Sequence, residues 1–311
     1  TRETRGRKPA LEITDPQRRT LDQIRRLIEH QGFPPTIQEL ADALDIAHAS
    51  AHEQVSQLVR KGYLRRRPGK ARSITVVRRS DESAWRPDRV GILRWLRERD
   101  PEKLEPLWEQ ADRVRHENVG DEVHLRGLLE ISNYCVRRCA YCGLATRNQA
   151  LKRYRMCVDE IVDGARRAAG YGYGTIVLQA GEDYGLTRRA VEEAISRIKD
   201  ETPLAVTLSL GERPDEDLAA WRKAGADRYL LRLETTDRAL YDLIHPPHAG
   251  RRSDRIAILH RLRELGYEIG SGVMIGVPGQ SWQTLATDIE TFGALDLDMI
   301  GVGPFLPHPS T

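Results

Sequence analysis

Cysteine is scarce in this chain: its 311 residues include only four. That is too few for a disulfide framework, and they are unevenly placed. Cys135, Cys139 and Cys142 fall in "EISNYCVRRCAYCGLA", residues 130–145, with the spacing C-x₃-C-x₂-C, and Cys157 stands apart. Such crowding reads as metal or redox chemistry rather than cross-linking. No run of 18 or more apolar residues occurs, nor an apolar signal-peptide core. Neither a membrane span nor secretion is therefore expected, and the chain reads as cytoplasmic. No internal repeat appears beyond an alternation of strand and helix patterns. No histidine lies within ten residues of the cysteine loop, so a closed zinc site would lack nearby nitrogen ligands.

Charged residues make up 31% of the chain and apolar ones 40%, an ordinary globular balance, and the length suffices for two domains. The net charge of +3 hides a division. Residues 1–80 hold 17 Lys and Arg against 9 Asp and Glu, a net of +8, whereas the remainder is at −5. A basic head on a mildly acidic body points to a polyanionic partner for the head alone. The first residue is Thr1, and Thr311 closely follows an apolar run; both read as the ends of a fragment.

The head has the order helix, helix, helix, hairpin. "DPQRRTLDQIRRLIEHQG" places Leu21, Ile24, Leu27 and Ile28 at helical spacing, with Asp15 as N-cap, Pro16 at the first helical position and Gly32 as the stop. Thr36 caps a second helix carrying Ile37, Leu40, Ala41 and Leu44. A third runs from about Ala49 to Lys61 with Val55, Leu58 and Val59 inward and Gly62 closing it. "YLRRRP" and "ARSITVV" then form two short strands around Pro68-Gly69. That order is a winged helix-turn-helix over residues 1–78. A polar linker, "RSDESAWRPD", occupies 79–88, and lead-in helices follow at about 88–99 and 102–117.

Beyond residue 120 six strand-like runs alternate with helical patterns: "HLRGLLEIS", "TIVLQA", "AVTLSL", "RYLLRLE", "EIGSGVMIG" and "MIGVGPF". This is the pattern of βαβ units and a parallel sheet. The expected class is α/β, a (β/α) barrel incomplete at its C-terminus, two units short of the closed eightfold form. The cysteine loop follows the first strand, and in such barrels chemistry sits on the loops after strand C-termini. "QAGED" (Gln179–Asp183), "LSLGE" (Leu208–Glu212) and "GVPGQ" (Gly276–Gln280) end other strands on that face. Arg232 and Glu234, two residues apart, share one face of the fourth run. Either they pair with each other or they bind a polar ligand.

Three local thiolates can hold three irons of a cubane cluster and leave the fourth open to another molecule, with Cys157 as a distant fourth candidate. Zinc and a chance grouping are the alternatives. The motif with Tyr141 before the last cysteine resembles the signature of the radical S-adenosylmethionine enzymes. "GDEVHLRGLLEISNYCVRRCAYCGLA", "TIVLQAGED", "VTLSLGERP", "YLLRLETTD", "GYEIGSGVMIGVPGQ" and "DMIGVGPFLPHPST" together resemble the HydE family of [FeFe]-hydrogenase maturases, from about Trp85 to Thr311. Biotin synthase and methylornithine synthase resemble it more closely than other radical enzymes do, and an enzyme of their kind is an alternative.

The resemblance implies a [4Fe–4S] cluster on Cys135, Cys139 and Cys142, with S-adenosylmethionine (SAM) chelating its open iron. Gly181 and Glu182 would receive the SAM amino group and Arg232 the carboxylate. Glu234 and Gly276, Val277 and Pro278 would lie near ribose and adenine, with Tyr141 beside the adenine. Ser209 and Glu212 would fall in the substrate cavity. An electron delivered by a donor would cleave SAM to a 5′-deoxyadenosyl radical. The substrate implied is a small sulfur-containing or iron–cysteine precursor of the hydrogenase cofactor. Cys157 lies outside the signature and reads as a buried or incidental thiol, with a sensor or repair role as the alternative.

Residues 14–77, "FPPTIQELADALDI…SAHEQVSQLVRKGYLRRRPGKARSI" at their heart, resemble the DNA-binding domain of the LexA repressor. The second helix of such a motif enters the major groove of double-stranded DNA with its N-terminal side chains. That puts Ser50, His52 and Glu53 at the groove floor, Ala49 as a methyl contact and Gln54 beside them. Thr36, Arg65, Arg66, Lys70 and Arg72 become phosphate contacts. No counterpart of the repressor's self-cleaving serine–lysine domain is present. The whole then reads as a radical enzyme with a DNA-binding head. The alternatives are a regulator whose barrel senses its cluster or SAM, or a fusion of two units that do not cooperate.

Overall fold

The computed structural model describes residues 14–31, 33–66, 72–76 and 88–311. The chain divides into two compact units, one comprising Thr1–Pro87 and Val114–Gly120, the other Asp88–Arg113 and Asp121–Thr311. The expected linker lies almost wholly outside the described residues, as do Gly32, the Pro68-Gly69 turn and Lys70. Among the described residues no helix is long and apolar enough to cross a membrane.

The head contains α1 (Asp15–Gln31), α2 (Ile37–Leu44), α3 (His48–Arg60), β1 (Leu64–Arg65) and β2 (Thr75–Val76). The strands pair antiparallel, Leu64 opposite Val76. Thr36 caps α2 as the sequence suggests: its hydroxyl accepts from the Glu39 amide while Glu39 reaches back to the Thr36 amide, a reciprocal capping box. The apolar spacing converges on Leu21, Ile24, Leu40, Val55, Leu58 and Leu64, all essentially inaccessible. Val59 departs from expectation. It is 36% exposed and Ala51 takes the inward place, because Ala51, Val55 and Leu58 follow the i, i+4, i+7 stripe and Val59 falls beside it.

After the head the chain runs through α4 (Arg89–Arg97) and α5 (Pro101–Val119), of which the residues up to Arg113 belong to the second unit. Then come β3 (Gly127–Ser132), α6 (Val158–Gly170), β4 (Thr175–Ala180), α7 (Arg188–Glu201), β5 (Ala205–Ser209), α8 (Asp215–Lys223) and β6 (Arg228–Leu230). The chain continues through α9 (Arg238–Ile244), α10 (Arg255–Glu264), β7 (Glu268–Ile275), α11 (Trp282–Leu295) and β8 (Met299–Pro304). The six strands β3 to β8 form one sheet in sequence order, every pair parallel. Parallel strands buried on both faces read as continuous apolar runs, and β7 is buried from Ile269 through Met274.

Helices and sheet share one core that includes Ile176, Leu178, Ile195, Val206, Trp221 and Tyr229. The polar tips buried there find partners: Trp221 Nε1 donates to the Arg188 carbonyl at 3.0 Å and Tyr229 to that of Gly211 at 2.9 Å.

Two departures concern the strands nearest the site. β6 ends at Leu230, well short of the expected Glu234. The backbone continues irregularly beside β7, with Glu234 held at φ 62° by bonds to Gly272 and Met274. A left-handed backbone at a non-glycine residue is strained and persists only where its surroundings fix it. On the other side, β7 and β8 approach so closely at Gly272 that a Cβ there would lie 1.8 Å from the Gly301 carbonyl oxygen. Gly272→Ala is expected to cost about 3 kcal/mol, the upper range for overpacking, and to expose the β7–β8 amides to hydrogen exchange. Gly303→Ala, with open space around its Cβ position, serves as the near-neutral control.

Candidate active site

Each βα connection on one edge of the sheet contributes to the site. The first, from β3 to α6, carries the cysteines, and its course is set by long-range hydrogen bonds. The Val136 amide donates to the Glu182 carbonyl after β4 at 3.0 Å, and the Ala140 amide to the Ile244 carbonyl at the end of α9 at 2.7 Å. Asn133 clamps the return of the loop, donating to the Lys152 carbonyl and accepting from the Tyr154 amide. Arg153 spreads its guanidinium over the carbonyls of Asn133, Leu144, Ala145 and Asn148. Gly181 lets this loop rest on the end of β4. A Cβ there would come within 2.2 Å of the Tyr134 carbonyl oxygen and 2.7 Å of the Cys135 Cβ.

The three thiols share one environment. Burial pushes Cys139 up to about 12, and the nearby Cys135 adds to it; the Tyr141 hydroxyl and Arg255 act the other way. Burial likewise raises Cys142, with Cys135 and Glu234 adding to it in part. Thiols buried in one another's field suit a metal centre, which takes them as thiolates and supplies the missing positive charge. Among the described residues no three His, Cys, Asp or Glu side chains converge where a single ion could sit. Three cysteine thiolates on one loop are the donor type that holds an iron–sulfur cluster. Cys157 takes no part: it is exposed at the start of α6, its amide donating to Glu160 at 2.7 Å.

Behind the loop lies a buried charged network that sequence spacing did not reveal. Arg137 donates through Nε to Glu182 Oε1 at 2.8 Å, and its Nη2 lies 2.9 Å from Glu212 Oε2. Glu212 also receives Arg255 Nε at 3.1 Å and the Ser253 hydroxyl. Glu182 accepts from Tyr184 at 3.0 Å, and its Oε2 takes the Glu212 amide at 3.3 Å. Glu182 and Glu212, two of the three glutamates singled out for ligand binding, are thus engaged by protein groups. Arg232 and Glu234 do pair, Nε to Oε2 at 3.1 Å. Arg232 Nη2 donates to the Val273 carbonyl at 2.9 Å, while Nη1 extends toward β8, 3.5 Å from where a Gly301 Cβ would be. Ser209 ends β5 opposite Gln179 of β4.

The "GVPGQ" turn is closed by Gln280, which accepts from the Gly276 amide and donates to the Met274 carbonyl, both at 2.8 Å. Gly276 has φ 85°, and Val277 is buried with Leu240, Ile244 and Met274 against Ala140, Tyr141 and Phe305. This apolar cluster stands beside the cysteine loop.

His245, at the end of α9, is the second group that sequence reading missed. Its Nδ1 lies 3.0 Å from Cys139 Sγ and 3.4 Å from the Tyr141 hydroxyl. Burial first, then Arg255 and Arg137, push it down to about 2, so it is neutral. The only signal for its position was Pro246-Pro247 directly after it, which ends the helix there.

Asp183 anchors the loop from beneath. It accepts from Ser132 at 2.6 Å, from Arg155 Nε and Nη2 at 2.7 Å each, and from the Gly185 amide at 2.9 Å. Burial opposes ionisation, yet Arg155, Ser132 and Gly185 together hold the carboxyl below the ordinary range. Its stabilisation is present above the unfolded carboxyl's pKa and is lost as pH falls through the depressed folded value. Asp183→Asn is expected to lose about 2 kcal/mol at pH 7, below the usual range for a broken buried pair because Arg155 is 37% exposed. The two proteins should converge as pH falls through that depressed folded value, where the wild-type carboxyl is protonated too; urea midpoints measured from neutral pH into the acid range check it.

In the head, Thr36, His52, Arg66 and Arg72 line one groove of about 250 Å³ with His48 and Gln38. Ala49, Ser50, His52 and Glu53 are exposed on the first turns of α3, and Arg65 is exposed on β1. Three expected DNA contacts are engaged within the domain, Thr36 through its capping box. Arg72 pairs with Glu39 at 2.5 Å and stands over the Phe33 ring at 4.5 Å. Glu53 accepts from Gln57 at 2.6 Å and Arg60 at 3.1 Å.

Comparison with known proteins agrees with this geometry. Residues 129–292, more than half of the chain, match the model of the radical SAM superfamily. The chain belongs to that superfamily. Radical SAM proteins use a [4Fe–4S] cluster and S-adenosylmethionine, and the matched span contains the cysteine loop and strands β4 to β7. Residues 11–73 match the LexA DNA binding domain.

Among the radical SAM relatives, the [FeFe] hydrogenase maturase subunit HydE of Thermotoga maritima is 47% identical over 67% of this chain and 59% of its own length. The chain therefore spans about three fifths of that relative. The crystal structure of methylornithine synthase superposes with a TM-score of 0.68 at 27% identity, covering 73% of this chain and 67% of that one. The LexA repressor of Oleidesulfovibrio alaskensis is 46% identical over 25% of this chain and 38% of its own.

Proposed function

We propose that residues 89–311 form a HydE-like radical SAM enzyme and residues 1–78 a DNA-binding head, joined by the linker at 79–88. The observation that carries the enzyme reading is the trio of thiols, Cys139 buried and Cys135 and Cys142 half-buried, on a loop fixed over the ends of β3 and β4. Cys135, Cys139 and Cys142 would hold the [4Fe–4S] cluster, which, when bound, supplies the electron that cleaves SAM to a 5′-deoxyadenosyl radical. The chain's own groups bind and orient. Arg232 offers its remaining guanidinium nitrogen to the SAM carboxylate, and Gly181 with Glu182 frames the amino group. Tyr141, Glu234 and the Gly276–Pro278 turn flank the nucleoside, where the apolar cluster around Val277 excludes water. Glu212, held by two arginines, is a fixed charge rather than a free base.

The substrate fitting this reading is a small sulfur-containing or iron–cysteine precursor in [FeFe]-hydrogenase cofactor assembly, with an external electron donor. The head would contact double-stranded DNA through Ala49, Ser50, His52 and Glu53 at the bases, and through Thr36, Arg65, Arg66 and Lys70 at phosphates. Arg72 would instead brace Glu39 of the capping box. A chain that meets DNA and carries an oxygen-labile cluster belongs in the cytoplasm.

Anaerobic reconstitution tests the enzyme. Bound iron and sulfide, and 5′-deoxyadenosine formed after dithionite and SAM are added, are the expected results; protein that takes up neither iron nor sulfide would overturn it. For the head, affinity for a palindromic duplex should fall linearly on a log–log salt plot, with a shallower slope for Arg66→Ala. Affinity indifferent to salt would remove DNA from the proposal.

A further inference from the structure

We infer that His245 donates a hydrogen bond from Nδ1–H to the Cys139 sulfur and thereby tunes the reduction potential of the cluster that this thiolate holds. The inference rests on the cluster assignment made above, and its evidence is the ring's two neighbours. Nδ1 faces Cys139 Sγ at 3.0 Å, and Nε2 faces Arg255 Nη2 at 3.3 Å. A guanidinium has donors and no acceptor, so Nε2 must present its lone pair and the ring proton must reside on Nδ1. The opposite tautomer would set Nε2–H against the Arg255 N–H groups. Its nearest acceptor, Glu212 Oε1, is 3.8 Å away, beyond hydrogen-bond reach.

The orientation is held from outside the ring. Arg255 is fixed by Glu212 at 3.1 Å and by the Arg232 carbonyl. His245 itself is 2% exposed, capping α9 with its amide bonded to the Tyr241 carbonyl at 2.7 Å. A line of contacts thus runs from Glu212 through Arg255 and His245 to Cys139. Hydrogen bonds to cluster sulfurs shift potential because they favour the more negative, reduced form. His245 is a positioning residue in this account: it touches a cluster ligand and no reacting atom.

The test is an EPR-monitored redox titration of the reconstituted chain, comparing wild type with His245→Leu and His245→Asn. Loss of the N–H in the leucine variant is expected to lower the reduced-to-oxidised ratio at fixed poise about tenfold, equivalent to about 59 mV for a one-electron couple. Asparagine, whose amide N–H falls near the former Nδ1, should recover most of it. If the leucine variant holds no iron, His245→Gln takes its place. The glutamine amide reaches the Nε2 position instead and should shift the potential as leucine does. Equal iron content with an unchanged potential in the leucine or glutamine variant overturns the inference while leaving the cluster intact. Wild-type protein without iron removes the cluster assignment itself, and the inference with it.

Discussion

Replacing Arg137 with methionine is expected to destabilise the barrel unit by about 3–5 kcal/mol, more than Asp183→Asn and at least as much as Gly272→Ala. Arg137 and Glu182 are each less than 10% exposed, and Glu212 is 13% exposed. The substitution leaves Glu182 without its guanidinium partner and Glu212 with Arg255 alone, in surroundings where a carboxylate without a cation is costly. The thermal midpoint of the barrel transition should fall by roughly 10 °C, given about 2–4 °C per kcal/mol for a unit of this size. Adding Glu182→Gln should return much of the loss, since the buried Arg137–Glu182 pair is then exchanged as a whole while Glu212 keeps Arg255. A double variant as unstable as the single one would show that shape, not charge, governs the position.

The second large effect concerns activity. Cys135→Ala, Cys139→Ala and Cys142→Ala should each reduce SAM cleavage to the level of the buffer blank. Each is also expected to lose most of the iron and sulfide taken up on reconstitution. Cys157→Ala should match wild type in both, because that thiol is exposed at the start of α6. Retained iron in the triple alanine variant would transfer the cluster elsewhere.

The regular framework was legible because its signals are local. The six apolar runs each became a strand of one parallel sheet, and the capping box at Thr36 formed where serine-, threonine- and glutamate-type spacing puts it. The cysteine motif was equally legible, its members lying within one turn of chain. What sequence did not disclose was contact across long separations. His245 is 106 residues from Cys139, and Arg137 is 45 from Glu182; no periodicity connects such pairs. The early end of β6 escaped notice for a related reason. "RYLLRLE" has the apolar alternation of a strand, yet the left-handed bend at Glu234 is imposed by β7 beside it. The resemblance to the LexA DNA-binding domain offers Arg72 as a phosphate contact, and only the fold brings Glu39 to it.

Arg153 carries a consequence for how the cysteine loop keeps its shape. Its guanidinium gathers four carbonyls, from Asn133 ahead of the first cysteine to Asn148 beyond the last. One side chain thus ties the two ends of the loop together. Its removal in Arg153→Ala is expected to make this loop the first segment of the unit that a protease cuts.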